Sequence, residues 1–337
     1  MGQPVLVDAH SDLLIDVTKK RTLGAKSVIE RDWVPGMRQA GVGVRLAAVY
    51  VDQGFLPHMA LKNALAAVAA LHSEVDESPS VQLCTSYTDI RQAIQDDRIA
   101  LLLSMEGAEP LLDDANLLDI FYKLGLRALG LTHSRRNHAA DGSRFFQMKA
   151  GTPGGLSDFG VELVERAQVL GVLVDVSHIN DAGFWDIIDM AQRPVIASHS
   201  NCRALCNHPR NLTDEQIKAV AETGGVVGAL HFCFDPQKKT RTVTHLLDHL
   251  DHVVQLVGTE HAGLGFDFAD YALAYLSEYE RARLPMPGFE TSPEDKLTED
   301  GDVPLVIAGM ERRGYTSQEI ERIAGGNLLR VFQQMWG

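Results

Sequence analysis

The sequence predicts an α/β chain folded as one (β/α)₈ barrel, a TIM barrel, on three observations. Eight short aliphatic runs recur along the 337 residues, amphipathic stretches separate them, and seven of the runs end in a His, Asp or Glu. Near-continuous apolar runs are the pattern of parallel strands covered on both faces. Eight such units suit a closed barrel, whose chemistry sits at the carboxyl ends of the strands. The competing open, doubly wound sheet loses its dinucleotide-binding version, because no Gly-x-Gly-x-x-Gly follows the first run.

Strands are expected at residues 5–9, 44–51, 100–105, 128–132, 172–176, 195–198, 226–231 and 262–266. Helices are expected at 59–72, rich in Ala and Leu, and at 112–124 and 161–170, where apolar residues recur at helical spacing. Thr213 with Gln216 three residues later makes a capping box, and Gly224 with Gly225 closes that helix. Residues 244–257 repeat apolar positions at three and four, and a last helical region at 315–332 is expected to break near Gly325 and Gly326. No linker divides residues 1–337, so a single domain is expected. The Pro-rich, charged stretch 281–304 follows the eighth strand and reads as a long loop or lid.

Composition narrows the function. With 31 basic and 45 acidic side chains the net charge is −14, which gives no general attraction to nucleic acid or to anionic lipid. No apolar run reaches the length of about 18 residues that a membrane span requires. Asp8 comes too early for a signal peptide, and no myristoylation signal follows Gly2, so a cytoplasmic protein is expected. Four cysteines (Cys84, Cys202, Cys206 and Cys233) are too few for a disulfide scaffold and read as reduced thiols.

The strand ends carry the chemistry. In order they supply His10 and Asp12, Glu106, His133, Asp175 with His178, His199, His231 and Asp267. His10 and Asp12 are two apart and are expected on one strand face. Taken singly, each has an ordinary structural reading: a core histidine, a first-turn carboxylate, a capping turn. Together they would put imidazoles and carboxylates into one dry barrel mouth, where desolvation is costly unless a metal pairs them. Such donors suit zinc and similar divalent ions. Five ligands exceed one open tetrahedral site but suit two ions, about 3.5–4 Å apart, sharing a carboxylate. Two ions can acidify a bridging water and polarise a substrate carbonyl, and Asp267 is the remaining carboxylate able to carry a proton to a leaving amine.

With these residues in place, the chain resembles the membrane (renal) dipeptidase family, the zinc dipeptidases of peptidase family M19. The carrying segments are Asp8-Ala-His-Ser-Asp12, Met105-Glu-Gly107, Leu131-Thr-His133, Asp175-Val-Ser-His178, Ser198-His-Ser200, the loop from Asn207 to Asp214, and Gly263-Leu-Gly-Phe-Asp-Phe268. The resemblance implies a barrel of the metal-dependent hydrolase type with two Zn²⁺ ions. It implies His10 and Asp12 on one ion, His178 and His199 on the other, and Glu106 bridging. His133 would bind the substrate carbonyl or oxyanion, Arg210 the free carboxylate of a dipeptide, and Asp267 would shuttle the proton. The implied reaction is hydrolysis of L-Xaa-L-Xaa dipeptides, extended to L-Xaa-D-Xaa, by a metal-bridging hydroxide. Ala9 and Ser11 stand where the family commonly has Gly and Asn, and the secretion signal and lipid anchor of the animal enzymes are absent, which suits a soluble bacterial-type member. The family often forms homodimers. His231 matches no family ligand, and Arg135, Arg136 and His138 are candidates to meet an acidic substrate side chain.

Two other readings stand beside this one. The same metals can serve an amidohydrolase acting on another small amide, lactone or ester, since a fold does not fix its chemistry. A binding protein that merely keeps the fold is disfavoured by the complete ligand set. Without the resemblance, Arg210 reads as an exposed loop arginine.

Overall fold

The computed structural model describes residues 5–144, 151–232, 234, 242–273 and 295–337. Among the described residues nine strands run parallel: β1 (Leu6–Ser11), β2 (Val42–Tyr50), β3 (Val81–Leu83), β4 (Ile99–Glu106), β5 (Leu126–Gly130), β6 (Leu173–Asp175), β7 (Val195–Ile196), β8 (Val227–Ala229) and β9 (Ala262–Leu264). The main ladder is β1-β2-β4-β5-β6-β7, with the short β3 beside the start of β4, and β8-β9 form a second ladder. A bridge from Ala197 to Val227 joins the two ladders. On the other side, Asp267 N donates to His10 O at 3.3 Å and Phe266 N donates to Asp8 Oδ1 at 3.0 Å. These links complete the TIM-barrel circuit. Each of the eight expected strands overlaps an observed one; β3 was not expected.

Helices α1 (Leu13–Thr22), α2 (Val34–Ala40), α3 (Ala60–Glu77), α4 (Tyr87–Gln95), α5 (Asn116–Lys123), α6 (Asp158–Leu170), α7 (Asp181–Met190), α8 (Asp214–Glu222) and α9 (Val243–Val257) intersperse the strands. The Thr213–Gln216 capping box is present at α8, and Ser86 with Asp89 makes another at α4. After β9 come a helical turn, α10 (Asp270–Leu273), then α11 (Pro304–Arg312), α12 (Ser317–Glu321) and α13 (Asn327–Trp336). The expected break at Gly325 and Gly326 is instead a π-helical turn, Arg322–Gly326, that carries α12 directly into α13. Gly325 is there for proximity: a Cβ would lie 2.3 Å from Val5 O. No described helix is long and apolar enough to cross a membrane. Cys84 and Cys202 are free thiols, and Cys233 lies outside the described residues.

The barrel interior is filled, not hollow. Val7, Val44, Leu46, Ala100, Leu102, Ala128, Leu173 and Ile196 form one cluster with Leu328, Val331, Phe332 and Met335 of α13. Strand side chains alternate, so the complementary positions, such as Leu101, Leu103 and Leu129, face the helices in a larger cluster.

An outward position of β2 is charged. Arg45 on β2 is 1% exposed; its Nε lies 3.0 Å from Asp8 Oδ2, and Nη1 donates to Asp300 Oδ2 at 3.0 Å. Asp300 belongs to the described end of the 281–304 stretch; residues 281–294 of that expected lid lie outside the described residues. Asp8 Oδ1 in turn accepts Phe266 N, so the triad ties β1, β2, the end of β9 and the returning loop together. Arg45→Met would leave two buried carboxylates without their cation. It is expected to cost about 3–5 kcal/mol of stability, read from urea unfolding, and a loss below about 1 kcal/mol would contradict this role.

Candidate metal centre

His10 reaches the barrel mouth because β1 is irregular. Asp8 pairs with Arg45 and Ser11 with Ala47, so β1 spends one extra residue there. Such a bulge re-aims side chains. Ala9 packs inside with Val7, yet the next residue, His10, also turns inward. The expected strand-face pairing of His10 and Asp12 is corrected accordingly: Asp12 has left the strand and is the N-cap residue of α1, without capping it through its side chain. Its Oδ1 instead lies 3.7 Å from His10 Nε2.

Glu106 ends β4, in alternation with the inward Ala100 and Leu102. His178 follows β6 with φ +70°, and Asp267 follows β9 with φ +54°. Non-glycine residues in this left-handed region carry strain of about 1–3 kcal/mol, which tends to gather at functional sites. His199 follows β7, and His133 lies three residues beyond β5.

These side chains converge on Glu106. Its Oε1 lies 3.0 Å from His178 Nε2, 3.5 Å from His199 Nε2 and 3.7 Å from His10 Nε2. The Nε2 atoms of His178 and His199 are 2.8 Å apart, and Asp267 Oδ1 is 3.8 Å from His10 Nε2. Three donor groups have their ligand atoms within 4.8 Å of one another: His10, Glu106 and His199; Glu106, His133 and His178; and His10, Asp12 and Asp267. His133 stacks on His178 with ring centroids 4.4 Å apart and meets Tyr50 at 4.8 Å, and its Nδ1 is 3.0 Å from Ser134 Oγ.

Burial and the clustered carboxylates set the electrostatics of the site. Burial pushes Glu106 well above the usual carboxylate range, with Asp12 adding repulsion. Burial likewise lifts Asp267 to about 7. Burial holds His133, His178 and His199 well below the ordinary histidine value, and Arg210 reinforces this. At His10 burial also opposes charge, but Glu106, Asp12 and Asp267 outweigh it and carry the imidazole up to about 10. Buried carboxylates beside neutral imidazoles are the donor set for divalent cations. His10 Nε2 and Asp12 Oδ1 are buried without a hydrogen-bond partner, so the residues present fit a metal.

Arg210 is 2% exposed, which corrects the expectation of an exposed loop arginine. Nη1 donates to Ser200 Oγ at 2.9 Å and Nη2 to His199 O at 2.5 Å, which draws it under the metal-ligand loop. Its buried Nε has no hydrogen-bond partner. Burial lowers its pKa to about 10, which leaves it cationic at neutral pH.

Arg135 and Arg136 are used structurally. Arg135 donates to Glu109 Oε1, Tyr50 Oη and Val51 O, at 2.7, 3.2 and 2.7 Å. Arg136 holds Asp141 and Thr152 O, each through Nη2, at 2.7 and 2.8 Å. His138 Nδ1 is 2.7 Å from Leu112 O. His231 is fully buried, hydrogen-bonds Phe266 O and so links the ends of β8 and β9. Sequence reasoning gave no role to Tyr50, which bridges Arg135 and His133; Tyr271, in the helical turn after the last strand, donates its hydroxyl to Asp12 O at 2.6 Å. Single aromatics at strand and helix ends carry no spacing signal.

Comparison with known proteins agrees with this geometry. The family model of the membrane dipeptidases, peptidase family M19, matches residues 1–283. A Klebsiella pneumoniae protein described as an uncharacterized protein in the pqqA 5′ region is 30% identical over 76% of this chain and 89% of its own. Dipeptidase 3 of Mus musculus is 27% identical over 98% of this chain, which spans 64% of the mouse protein. The crystal structure of an M19 dipeptidase, a metallopeptidase, superposes with a TM-score of 0.84 at 25% identity over 100% of both chains. The chain belongs to the membrane dipeptidase family, peptidase family M19, and is a metallo-dipeptidase of that family.

Proposed function

We propose that the chain hydrolyses dipeptides with two divalent cations, zinc by donor chemistry, held by His10, Asp12, Glu106, His178 and His199. The observation that carries this reading is one carboxylate, Glu106, within 3.7 Å of three imidazole nitrogens from three different strands. Bound there, the cations supply Lewis acidity at the scissile carbonyl and acidify the attacking water.

The chain's own groups do the rest. Asp267 Oδ1, at the same mouth, accepts a proton from the attacking water and returns it to the departing amine. His133, held neutral by burial, donates a hydrogen bond to the carbonyl oxygen as negative charge grows on it, the stage at which such a donor lowers the barrier. Arg210 pairs with the substrate's free carboxylate through the guanidinium donors that Ser200 and His199 leave available. This anchors one end of the peptide at a fixed distance from the bond that breaks and limits the substrate to two residues. Acceptance of a D residue at the carboxyl end, a cytoplasmic location and a homodimer belong to the same proposal.

A library of L,L and L,D dipeptides, assayed with metal content measured on the same sample, tests the reading; hydrolysis of none of them by metal-loaded protein would overturn it. Arg210 has a sharper test against an amidohydrolase acting on uncharged substrates. The wild type should prefer a dipeptide to its C-terminal amide, and Arg210→Met should lose that preference, chiefly through KM. A charged hydrogen bond worth about 1.5–3 kcal/mol corresponds to about 10- to 150-fold. An unchanged preference would remove Arg210 from carboxylate recognition.

A further inference from the structure

The Asp175-Val-Ser-His178 motif contains a carboxylate that the chemistry above does not use. Asp175 ends β6, in alternation with the inward Leu173, and Ser198 lies two residues past Ile196 of β7. Asp175 Oδ1 accepts two backbone N–H groups, from Ser177 and from Ser198, each at 2.9 Å. Asp175 Oδ2 is hydrogen-bonded to Ser198 Oγ. Ser198 Oγ lies 2.7 Å from His199 Nδ1. Ser198 is 1% exposed, and its carbonyl is so enclosed that a Cβ on Gly265 would sit 1.9 Å from it.

Hydrogen counting fixes the direction of this chain. A carboxylate only accepts, so the hydrogen between Asp175 Oδ2 and Ser198 Oγ is the hydroxyl's own. That hydroxyl has one hydrogen, so its contact with His199 must be one in which it accepts. The donor is then His199 Nδ1–H, and the proton-free nitrogen is Nε2, which faces Glu106 and His178. The other neighbour of Ser198 Oγ, Ser177 Oγ, is more distant at 3.3 Å and already accepts His199 N at 3.1 Å and Ser200 Oγ at 3.3 Å.

We propose that Asp175, acting through Ser198, is a positioning residue that locks His199 as the Nδ1–H tautomer and aims its Nε2 lone pair at the metal site. The proposal rests on His199 being a metal ligand. Partners behind a ligating histidine fix its tautomer, and losing them costs about 10- to 100-fold in metal affinity or activity.

Two substitutions separate this role from plain packing. Asp175→Asn keeps the shape, but its amide N–H₂ can face Ser198 Oγ; the hydroxyl is then driven to donate to His199 Nδ1, and the ring proton moves to Nε2. Ser198→Ala removes the relay without imposing the other tautomer. The readouts are the ¹⁵N shifts of His199 in metal-free protein at pH 7.5, assigned with His199→Gln, and zinc affinity by chelator competition. The expected results are Nδ1–H in the wild type, Nε2–H in Asp175→Asn, and zinc binding weakened about 10- to 100-fold in both variants. An Nε2–H wild type overturns the relay, as do variants with wild-type zinc affinity. A wild type that binds no zinc would overturn the metal reading instead, while the tautomer measurement still decides the direction of the relay.

Discussion

Glu106→Gln is expected to lower dipeptide hydrolysis by about 10³-fold or more, because losing a metal's several kcal/mol of transition-state stabilisation has that effect on rate. Glu106 Oε1 lies within 3.7 Å of His10, His178 and His199 Nε2 together. Glutamine has nearly the same shape, so β4 and its packing should persist. It carries no negative charge, and its amide N–H₂ presents hydrogens where lone pairs are needed. Metal content should fall in parallel, from two equivalents per chain to one or fewer. Activity within about tenfold of wild type at full metal content would contradict the bridging role.

Asp267→Asn is expected to lower kcat by about 10²–10⁴-fold, the usual contribution of general acid–base help. The substitution is unusually clean here. Asp267 has φ +54°, a left-handed conformation that asparagine tolerates well, and the backbone hydrogen bond from residue 267 to His10 O is untouched. Metal content is the control, because Asp267 also falls within the donor group of His10 and Asp12. A slow enzyme with two metals supports a proton carrier. Loss of metal together with activity would make Asp267 a ligand, and an unchanged kcat would remove it from proton transfer.

How much of this was legible in the sequence depends on distance along the chain. The strands were legible because burial on both faces leaves an apolar run, as at β4, where all residues from Ile99 to Glu106 are buried. The short β3 has no such run and was missed. Helix α1 was missed because its last turn is Lys19, Lys20 and Arg21 and only part of its first two turns is buried. The π-turn at Arg322–Gly326 could not be read either, since a glycine pair usually signals a stop; the close approach of Val5 O supplies the reason for Gly325.

The site followed the same rule. Strand-end position singled out His10, Glu106, His178, His199 and Asp267, and folding brings them together at Glu106 and His10. The bulge that turns His10 inward leaves no mark in Asp8-Ala-His-Ser-Asp12. Burial of Arg210 depends on contacts with Ser200 Oγ and His199 O across its loop, which composition cannot foresee. Arg135 and Arg136 looked available because their partners, Glu109 and Asp141, are recognisable only in three dimensions.

Metal stoichiometry on one purified sample, paired with turnover, tests the central claim most directly. Protein stripped by chelator and titrated with zinc should take up two equivalents per chain and regain dipeptide hydrolysis as they bind. Failure to take up zinc, or full hydrolysis by the stripped protein, would contradict the account.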